Sequence, residues 1–215
     1  MRHRCETKRH SDWQLFLPRY CLQMLFDATY EWISTQGWSL VPIDPDYGGG
    51  GVEAKFSPLE ANVQDYDLAW ATYMGYGVSG VCWRGPRLFE GPQSKAVVKK
   101  WTAWYKRYRD TLISDALIHI RRPDGQGIDG VLHANPAGGA QEGERGLFFA
   151  YNPTLKAVRT NVSVPLYYTG IDGAAASVSH EGGAATVVAV GRDFGMVLSV
   201  DIPARGYSWW VIHGT

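Results

Sequence analysis

The sequence has few cysteines, no excess of charge of either sign and no long apolar run. Three cysteines in 215 residues are too few for a disulfide framework, and none has the C-x-x-C spacing of a zinc site. The 21 basic and 21 acidic side chains balance, which argues against a strongly basic nucleic-acid binder. A membrane-spanning helix needs ~18 or more consecutive apolar residues, and charges or glycines interrupt every candidate here. We therefore expect a globular protein without cofactor, metal, nucleic-acid partner or membrane span.

The first 18 residues are basic and lack the apolar core of about 7–15 residues that a secretory signal requires. We interpret residues 1–18 as a basic N-terminal segment. Cys5, Cys21 and Cys82 are buried or free thiols on the favoured interpretation, and a Cys5–Cys21 bridge is the alternative. Asn161 begins an Asn-Val-Ser glycosylation acceptor, which is usable only in a secretory compartment. The compartment itself is not fixed by these signals.

The apolar pattern changes near residue 112 and predicts an α/β part followed by an all-β part. Before that point, helical periodicity alternates with short strand-like runs, which indicates parallel strands joined by helical crossovers. The predicted helices cover residues 19–35, 57–74 and 94–108, and the strands cover 38–43 and 77–83. Two parallel strands need neighbours, because such strands are buried on both faces. Residues 19–111 are thus expected to be the last units of a (β/α)8 barrel, for which ~250 residues are typical, or to associate with another chain.

Two of these helices carry further signals. Ser57, Pro58 and Glu60 have the arrangement of a capping box, which predicts a helix start there, and glycines 75 and 77 predict its end. The helix after residue 94 interleaves basic and aromatic residues. Such a helix can bind nucleic acid, but a neutral chain favours an amphipathic helix whose aromatics 101–108 pack against the β part.

Residues 112–215 predict an antiparallel β-sandwich. Apolar and polar residues alternate between Gly-rich turns, at the ~8–12-residue spacing of such domains. Asp124-Gly125, Asp172-Gly173 and Glu181-Gly182-Gly183 predict hairpin tips, since Gly reaches positive φ freely. The predicted strands are 117–121, 130–134, 146–151, 157–165, 166–169, 174–179, 185–191, 194–200 and 207–213.

Two loops of the α/β part carry side chains suited to a sugar. In a parallel barrel, ligands contact the loops that follow the strands. The first predicted strand leads to Asp44, Asp46 and Tyr47, and the second leads to Trp83 and Arg84. Carboxylates and guanidinium groups hydrogen bond to hydroxyls, and aromatic faces cover the apolar side of a pyranose. Ordinary turn chemistry and a core position for the tryptophan are the alternatives.

Several stretches resemble the C-terminal part of a glycoside hydrolase of the α-galactosidase-like kind. They are residues 38–43, 77–87, 101–109, 199–210 and especially Gly146-Leu147-Phe148-Phe149-Ala150-Tyr151-Asn152-Pro153-Thr154. Such enzymes join a catalytic (β/α)8 barrel to a C-terminal antiparallel β-domain. The resemblance implies that both catalytic carboxylates lie on earlier strands, before Met1. The catalytic residues are then unknown, and the chain alone is expected to be inactive.

The leading hypothesis is a glycoside-hydrolase-like protein, here a fragment that lacks the catalytic carboxylates but retains part of a carbohydrate-binding cleft. The missing barrel strands would come from an upstream segment or from another chain. The full-length protein would be secreted or lysosome-like if it carries an upstream signal. The alternative is a non-catalytic carbohydrate-binding or structural module, with Trp209 and Trp210 as exposed aromatics that hold a glycan. A third hypothesis is an assembly protein whose strand edges are completed by neighbouring chains.

Overall fold

The structure is a computed structural model, and it describes residues 58–77, 89–114 and 116–214. The predicted segment 1–18, helix 19–35, strand 38–43, most of strand 77–83 and the three cysteines lie outside these residues. The described part contains two helices and eight strands, and every strand pairing is antiparallel. The antiparallel all-β part of the predicted fold is confirmed. Neither described helix is long and apolar enough to cross a membrane.

The first described helix, α1, spans Val63–Gly75 and begins later than predicted. Residues 58–62 form turns instead. The predicted role of Glu60 is wrong, because its carboxylate caps the second helix. It accepts hydrogen bonds from the backbone N–H groups of Gln93 and Ser94 at 3.2 and 2.8 Å. The Ser94 hydroxyl donates to it as well, and these bonds hold the pKa of Glu60 below its usual value.

The second helix, α2, spans Pro92–Leu112 and confirms the amphipathic pattern. Its proline occupies the first turn, where a missing N–H leaves no helical bond unmade. Just before it, Glu90 accepts a hydrogen bond from the N–H of Leu59 at 2.6 Å. The segments that precede the two helices therefore bind each other reciprocally. The large buried residues of α2 recur at helical spacing: Val97, Trp101, Trp104, Tyr108 and Leu112.

Eight of the nine predicted strand runs coincide with a strand. The ninth, 166–169, is wrong, because Tyr167–Thr169 forms a 3-10 turn. The Thr169 N–H and hydroxyl both donate to the carbonyl of Leu166, at 2.8 and 2.6 Å, and this closes the turn locally. The strands are β1 Ala116–His119, β2 Asp129–Ala134, β3 Glu144–Asn152, β4 Val158–Pro165, β5 Ala175–His180, β6 Ala185–Ala189, β7 Gly195–Ile202 and β8 Gly206–His213.

Six strands form one sheet in the order β1-β2-β3-β8-β5-β6, and β4 pairs only with β7 in a separate two-stranded ribbon. The β5–β6 hairpin turns at Glu181 and Gly182, both at positive φ, as predicted. The predicted tip at Asp124-Gly125 joins the paired strands β1 and β2. The predicted tip at Asp172-Gly173 is wrong, because the chain passes there from the ribbon to β5 of the other sheet.

The sheet is the middle of three layers, with the helices on one face and the ribbon on the other. Its central strands β3 and β8 are covered from both sides. Leu147, Phe149 and Tyr151 of β3 belong to the core shared with the helices. Phe148 and Ala150, which alternate with them, belong to the core shared with the ribbon. The described β part is therefore a sandwich with a helical layer added to it.

Candidate functional site

The predicted sugar ligands of the two barrel loops lie outside the described residues, so their role stays a prediction. They are Asp44, Asp46, Tyr47, Trp83 and Arg84. The candidate glycosylation site is described: Asn161 lies in β4, is exposed and stands opposite Ser199 of β7. Its modification also stays a prediction.

The helices meet the sheet through five aromatic rings, which we call the junction cluster: Trp101, Trp104, Phe149, Tyr207 and Trp209. Trp101 is fully buried, and its ring centroid lies 5.3 to 6.3 Å from the other four. Phe149 stacks on Trp209 at 6.0 Å, while Trp104 stands nearly perpendicular to Phe149. Edge-to-face and offset contacts of this kind are favourable beyond the area they bury. The predicted packing of the aromatic helix against the β part is confirmed.

The carboxylate of Asp67, in α1, binds two members of the junction cluster and a neighbouring lysine. It accepts hydrogen bonds from the Trp101 indole N–H at 2.8 Å, from the Lys100 ammonium at 3.0 Å and from the Tyr207 hydroxyl. Burial, and then the bond to Asp67, raise the pKa of Tyr207. The tyrosine therefore stays neutral and donates. One carboxylate thus binds α1, α2 and β8 together.

A neutral histidine lies where both helices end. His133 of β2 is buried, and its Nε2 lies 2.7 Å from the carbonyl oxygen of Gly75, so Nε2–H donates. Burial lowers the pKa of His133 to about 4, while the carbonyls of Gly75 and Leu112 act more weakly in the opposite direction. A Cβ on Gly75 would lie 2.1 Å from the Tyr151 hydroxyl oxygen. Only glycine lets α1 approach the sheet this closely.

A Ser, a His and a Glu meet at the β5–β6 hairpin, but their order does not suit hydrolysis. The Ser208 hydroxyl donates to Glu181 at 2.9 Å and lies 2.6 Å from Nε2 of His180. In a hydrolytic triad the histidine stands between serine and acid and accepts the proton of the nucleophile. Here the serine stands between them, and it is 4% exposed. Through these hydrogen bonds, Ser208 of β8 holds His180 and Glu181 of the hairpin.

Four carboxylates near the helices are committed to structural contacts. Glu60 caps α2, and Asp67 binds the junction cluster. Asp65 forms an ion pair with Arg205. Glu144 is fully buried and accepts hydrogen bonds from the side chains of Thr111 and Gln141. Each of these four carboxylates therefore has a partner within the described fold. Across 58–77, 89–114 and 116–214, no group of three or more His, Cys, Asp or Glu residues could hold a metal ion.

The tryptophans predicted to hold a glycan are not exposed. Trp210 is 6% exposed and packs on Phe148 with ring centroids 5.5 Å apart. Trp209 belongs to the junction cluster on the opposite face. Trp210 is buried and Trp209 is partly buried, because β8 is a central strand with a layer on each side. The prediction that both rings are exposed is wrong.

Three exposed aromatics of the described chain lie close together elsewhere, and sequence reasoning missed them. Tyr167 and Tyr168 are 65% and 56% exposed, and Phe194 is 37% exposed. The alternation expected of a strand gave no signal for the two tyrosines, because their segment forms a 3-10 turn. No local pattern indicated that Phe194 would join them.

No protein-family model matches the sequence, and no curated protein matches it. Among solved structures, the chain is similar to a GH27 β-L-arabinopyranosidase from Geobacillus stearothermophilus. The TM-score is 0.45 both for the wild-type enzyme, at 10% identity, and for a variant in complex with arabinose, at 11%. It is also similar to CelM2, a bifunctional glucanase-xylanase from a metagenome library, with a TM-score of 0.40 and 14% identity.

These similarities cover different shares of the chains compared. They extend over 70% of this chain and 31% of the arabinopyranosidase, and over 97% of this chain and 41% of CelM2. The chain therefore spans less than half the length of either structure. Because every TM-score is below 0.5, the likeness assigns neither an activity nor a ligand to this chain.

Proposed function

We propose that this chain acts as the C-terminal part of a glycoside-hydrolase-like protein, in which the β-domain holds the helices of an α/β unit in place. The observation that carries this proposal is the junction between the helices and the sheet. The helices α1 and α2 pack on one face of the six-stranded sheet, against its strands β2, β3 and β8. Eight of the 17 buried hydrophobic residues in that described core are aromatic. Such a core fixes the position of the helices as well as burying them.

Directional contacts support the same role. Asp67 joins three elements, and the Asp65–Arg205 pair adds a second link between α1 and the start of β8. The hydrogen bond from His133 to Gly75 fixes the end of α1 against β2. A domain that only carried a ligand would not need three polar links to the same helix.

The cleft forms the second part of the proposal. Asp44, Asp46 and Tyr47 would contact one side of a sugar, and Trp83 and Arg84 would contact it from the next loop. The remaining barrel strands, together with the catalytic carboxylates, would be supplied by a further segment or by another chain. Hydrolysis requires two carboxylates placed about the scissile bond, and one loop with two aspartates does not provide that geometry.

A hydrolysis and binding experiment tests this proposal. The purified chain is assayed with α- and β-linked nitrophenyl glycosides and titrated with neutral mono- and oligosaccharides. We expect no hydrolysis above the blank, and binding that weakens about tenfold or more in Asp44→Ala and Arg84→Ala at unchanged Tm. Asp124→Ala, in the β1–β2 turn, is the matched control and should bind as the unmodified chain does.

Two results would contradict it. Hydrolysis that is abolished by Asp44→Asn or Asp46→Asn would show that the chain is itself catalytic. Binding that is unchanged in both cleft variants would remove these loops from the sugar site. The second result would leave the structural role of the β-domain in place, because that role rests on the junction cluster.

A further inference from the structure

The outward face of the β4–β7 ribbon is mainly polar, with the exposed Val197 as an apolar side chain, and has no net charge. Its inward side chains, such as Val162 and Leu198, fill the core, while the alternate residues point away from the protein. Three cross-strand pairs form the outward rows: Arg159 with Asp201, Asn161 with Ser199, and Ser163 with Val197. The first pair is an ion pair at 3.1 Å, so its charges cancel locally. The remaining rows offer hydroxyl and amide groups that both donate and accept hydrogen bonds.

An aromatic cluster stands at one end of this face, where β4 ends and β7 begins. The Tyr167 ring lies 5.2 Å from Tyr168 and 5.5 Å from Phe194, nearly perpendicular to both. Neither of these two contacts of Tyr167 is a face-to-face stack. The rings are 37% to 65% exposed, in contrast to the buried junction cluster.

The backbone holds Phe194 in a conformation that non-glycine residues rarely adopt, with φ 59°. Its N–H donates to the carbonyl of Gly191 at 3.0 Å, and its carbonyl accepts from the N–H of Leu166 at 2.7 Å. The Asp193 carboxylate accepts from the N–H of Gly195 at 3.1 Å. This bonded turn maintains a strained position and places an apolar ring in solvent. The ring packs against Tyr167 and keeps 37% of the residue's surface exposed at the end of the ribbon.

We propose that the outward face of the β4–β7 ribbon, together with Tyr167, Tyr168 and Phe194, is a binding surface for a neutral oligosaccharide or polysaccharide. Aromatic faces would cover the apolar side of one sugar ring, and the tyrosine hydroxyls would meet its hydroxyl groups. The polar rows of Asn161, Ser163 and Ser199 would bind the units that follow along the ribbon. This surface does not include the cleft of residues 44–47 and 83–84, so the inference does not depend on the proposed function.

The charge and size of the surface favour this ligand over others. A face without net charge neutralises no phosphates and so frees none of the counterions condensed on a polyanion, which removes the main driving force for nucleic-acid binding. A protein partner needs an interface of ~800 Å² on each side. Three large aromatics bury ~150–250 Å² each when fully covered, and these rings are already about half covered, so the cluster is far too small for a stable dimer.

Affinity electrophoresis tests the proposal with three neutral polysaccharides as probes: galactomannan, mixed-linkage β-glucan and xyloglucan. We expect at least one of them to retard the unmodified chain, and Tyr167→Ala and Phe194→Gly to weaken that binding about tenfold or more. Val187→Ala, which removes an exposed apolar side chain from β6, is the matched control and should leave the retardation unchanged.

Phe194→Gly separates binding from folding. Glycine adopts positive φ without strain, so this variant should keep or raise the Tm while it loses the ring. A Phe194 that served only to support the fold would give a lower Tm instead. Parallel runs with Asp44→Ala and Arg84→Ala distinguish the two sites, because these variants should be retarded as strongly as the unmodified chain.

Three outcomes would overturn the proposal. The first is the absence of retardation by all three polysaccharides. The second is equal retardation of the unmodified chain, Tyr167→Ala and Phe194→Gly. The third is a dimer in light scattering that Tyr167→Ala converts to monomer, since the rings would then be a contact between copies. Binding that is lost only in the cleft variants would also count against the ribbon while supporting the cleft.

Discussion

The two faces of the six-stranded sheet bury the same number of hydrophobic residues in different ways. Each core contains 17 buried residues among those described, but eight are aromatic on the helix side and only two on the ribbon side. The helix side also contains polar groups with defined partners, namely His133, Asp67 and Tyr207. The ribbon side relies mainly on branched aliphatic side chains such as Val164, Val200 and Ile202.

The different compositions of the two cores restrict the helix layer and the ribbon to different degrees. Aliphatic burial stabilises in proportion to area and tolerates small shifts. Aromatic contacts and buried hydrogen bonds have preferred angles and therefore restrict position. The helix layer is held in one orientation, and the ribbon is held close to the sheet while its other face stays free. This division agrees with a supporting role for the first face and a binding role for the outer ribbon.

The largest effects should come from neighbouring phenylalanines that face opposite cores. Phe149→Ala and Phe148→Ala each remove a fully buried ring, and each should cost about 3–5 kcal/mol of unfolding free energy, with Phe149 at the upper end. Urea denaturation measures the cost, and native-state hydrogen exchange locates it. Exchange should rise in α1 and α2 for Phe149→Ala, and in β4 and β7 for Phe148→Ala. Identical exchange patterns would mean that the two faces do not loosen separately.

Acid should weaken the helix side through His133. The ring has a pKa of about 4 when folded and 6.5 when exposed, so the unfolded chain takes up the proton first as the pH falls. The stability contributed by the neutral ring is complete above pH 6.5, and about 3 kcal/mol is lost as the pH falls from 6.5 to 4. Unfolding free energies at several pH values measure this loss. His133→Gln should show a flatter slope in that window, and an equal slope would rule out this histidine as its source.

The smallest effects should come from one acidic group on each side of the sheet, Asp67 on the helix side and Asp201 on the ribbon. Asp67→Ala leaves the Trp101 indole and the Tyr207 hydroxyl without their acceptor, and should cost about 1–3 kcal/mol. Asp201→Ala breaks an ion pair whose side chains are 59% and 80% exposed, and should cost about 0–1 kcal/mol. Thermal denaturation at low and high salt compares them. A larger effect for Asp201→Ala than for Asp67→Ala would contradict the supporting role assigned to the helix side and the binding role assigned to the outer ribbon.

Local patterns predicted the strands well because each depends on neighbours in sequence. Alternation and Gly-rich turns identified eight strands, and the two hairpin tips that join paired strands were found from their glycines. The failure at 166–169 has a local cause as well, since Thr169 closes a 3-10 turn with its own hydroxyl. The sequence indicated that Glu60 caps a helix, but not which one. The N–H groups that it binds belong to α2, which starts about 30 residues later.

The candidate sites were harder to predict because exposure depends on strand order. Trp209 and Trp210 begin a run of four apolar residues, a pattern typical of a strand covered on both faces, and that signal argued against glycan binding. Tyr167 and Phe194 come together only because β4 pairs with β7, which lies more than 30 residues further along the chain. No periodicity in the sequence specifies that pairing.

The place of β8 has a consequence for how the protein is made. This strand follows the other seven in chain order, yet it lies between β3 and β5 and is bonded to both. During synthesis, the β5–β6 hairpin therefore has no sheet to join until β8 has left the ribosome. The edge of β3 that β8 fills remains unpaired for the same interval, and unpaired strand edges are prone to pair with other chains.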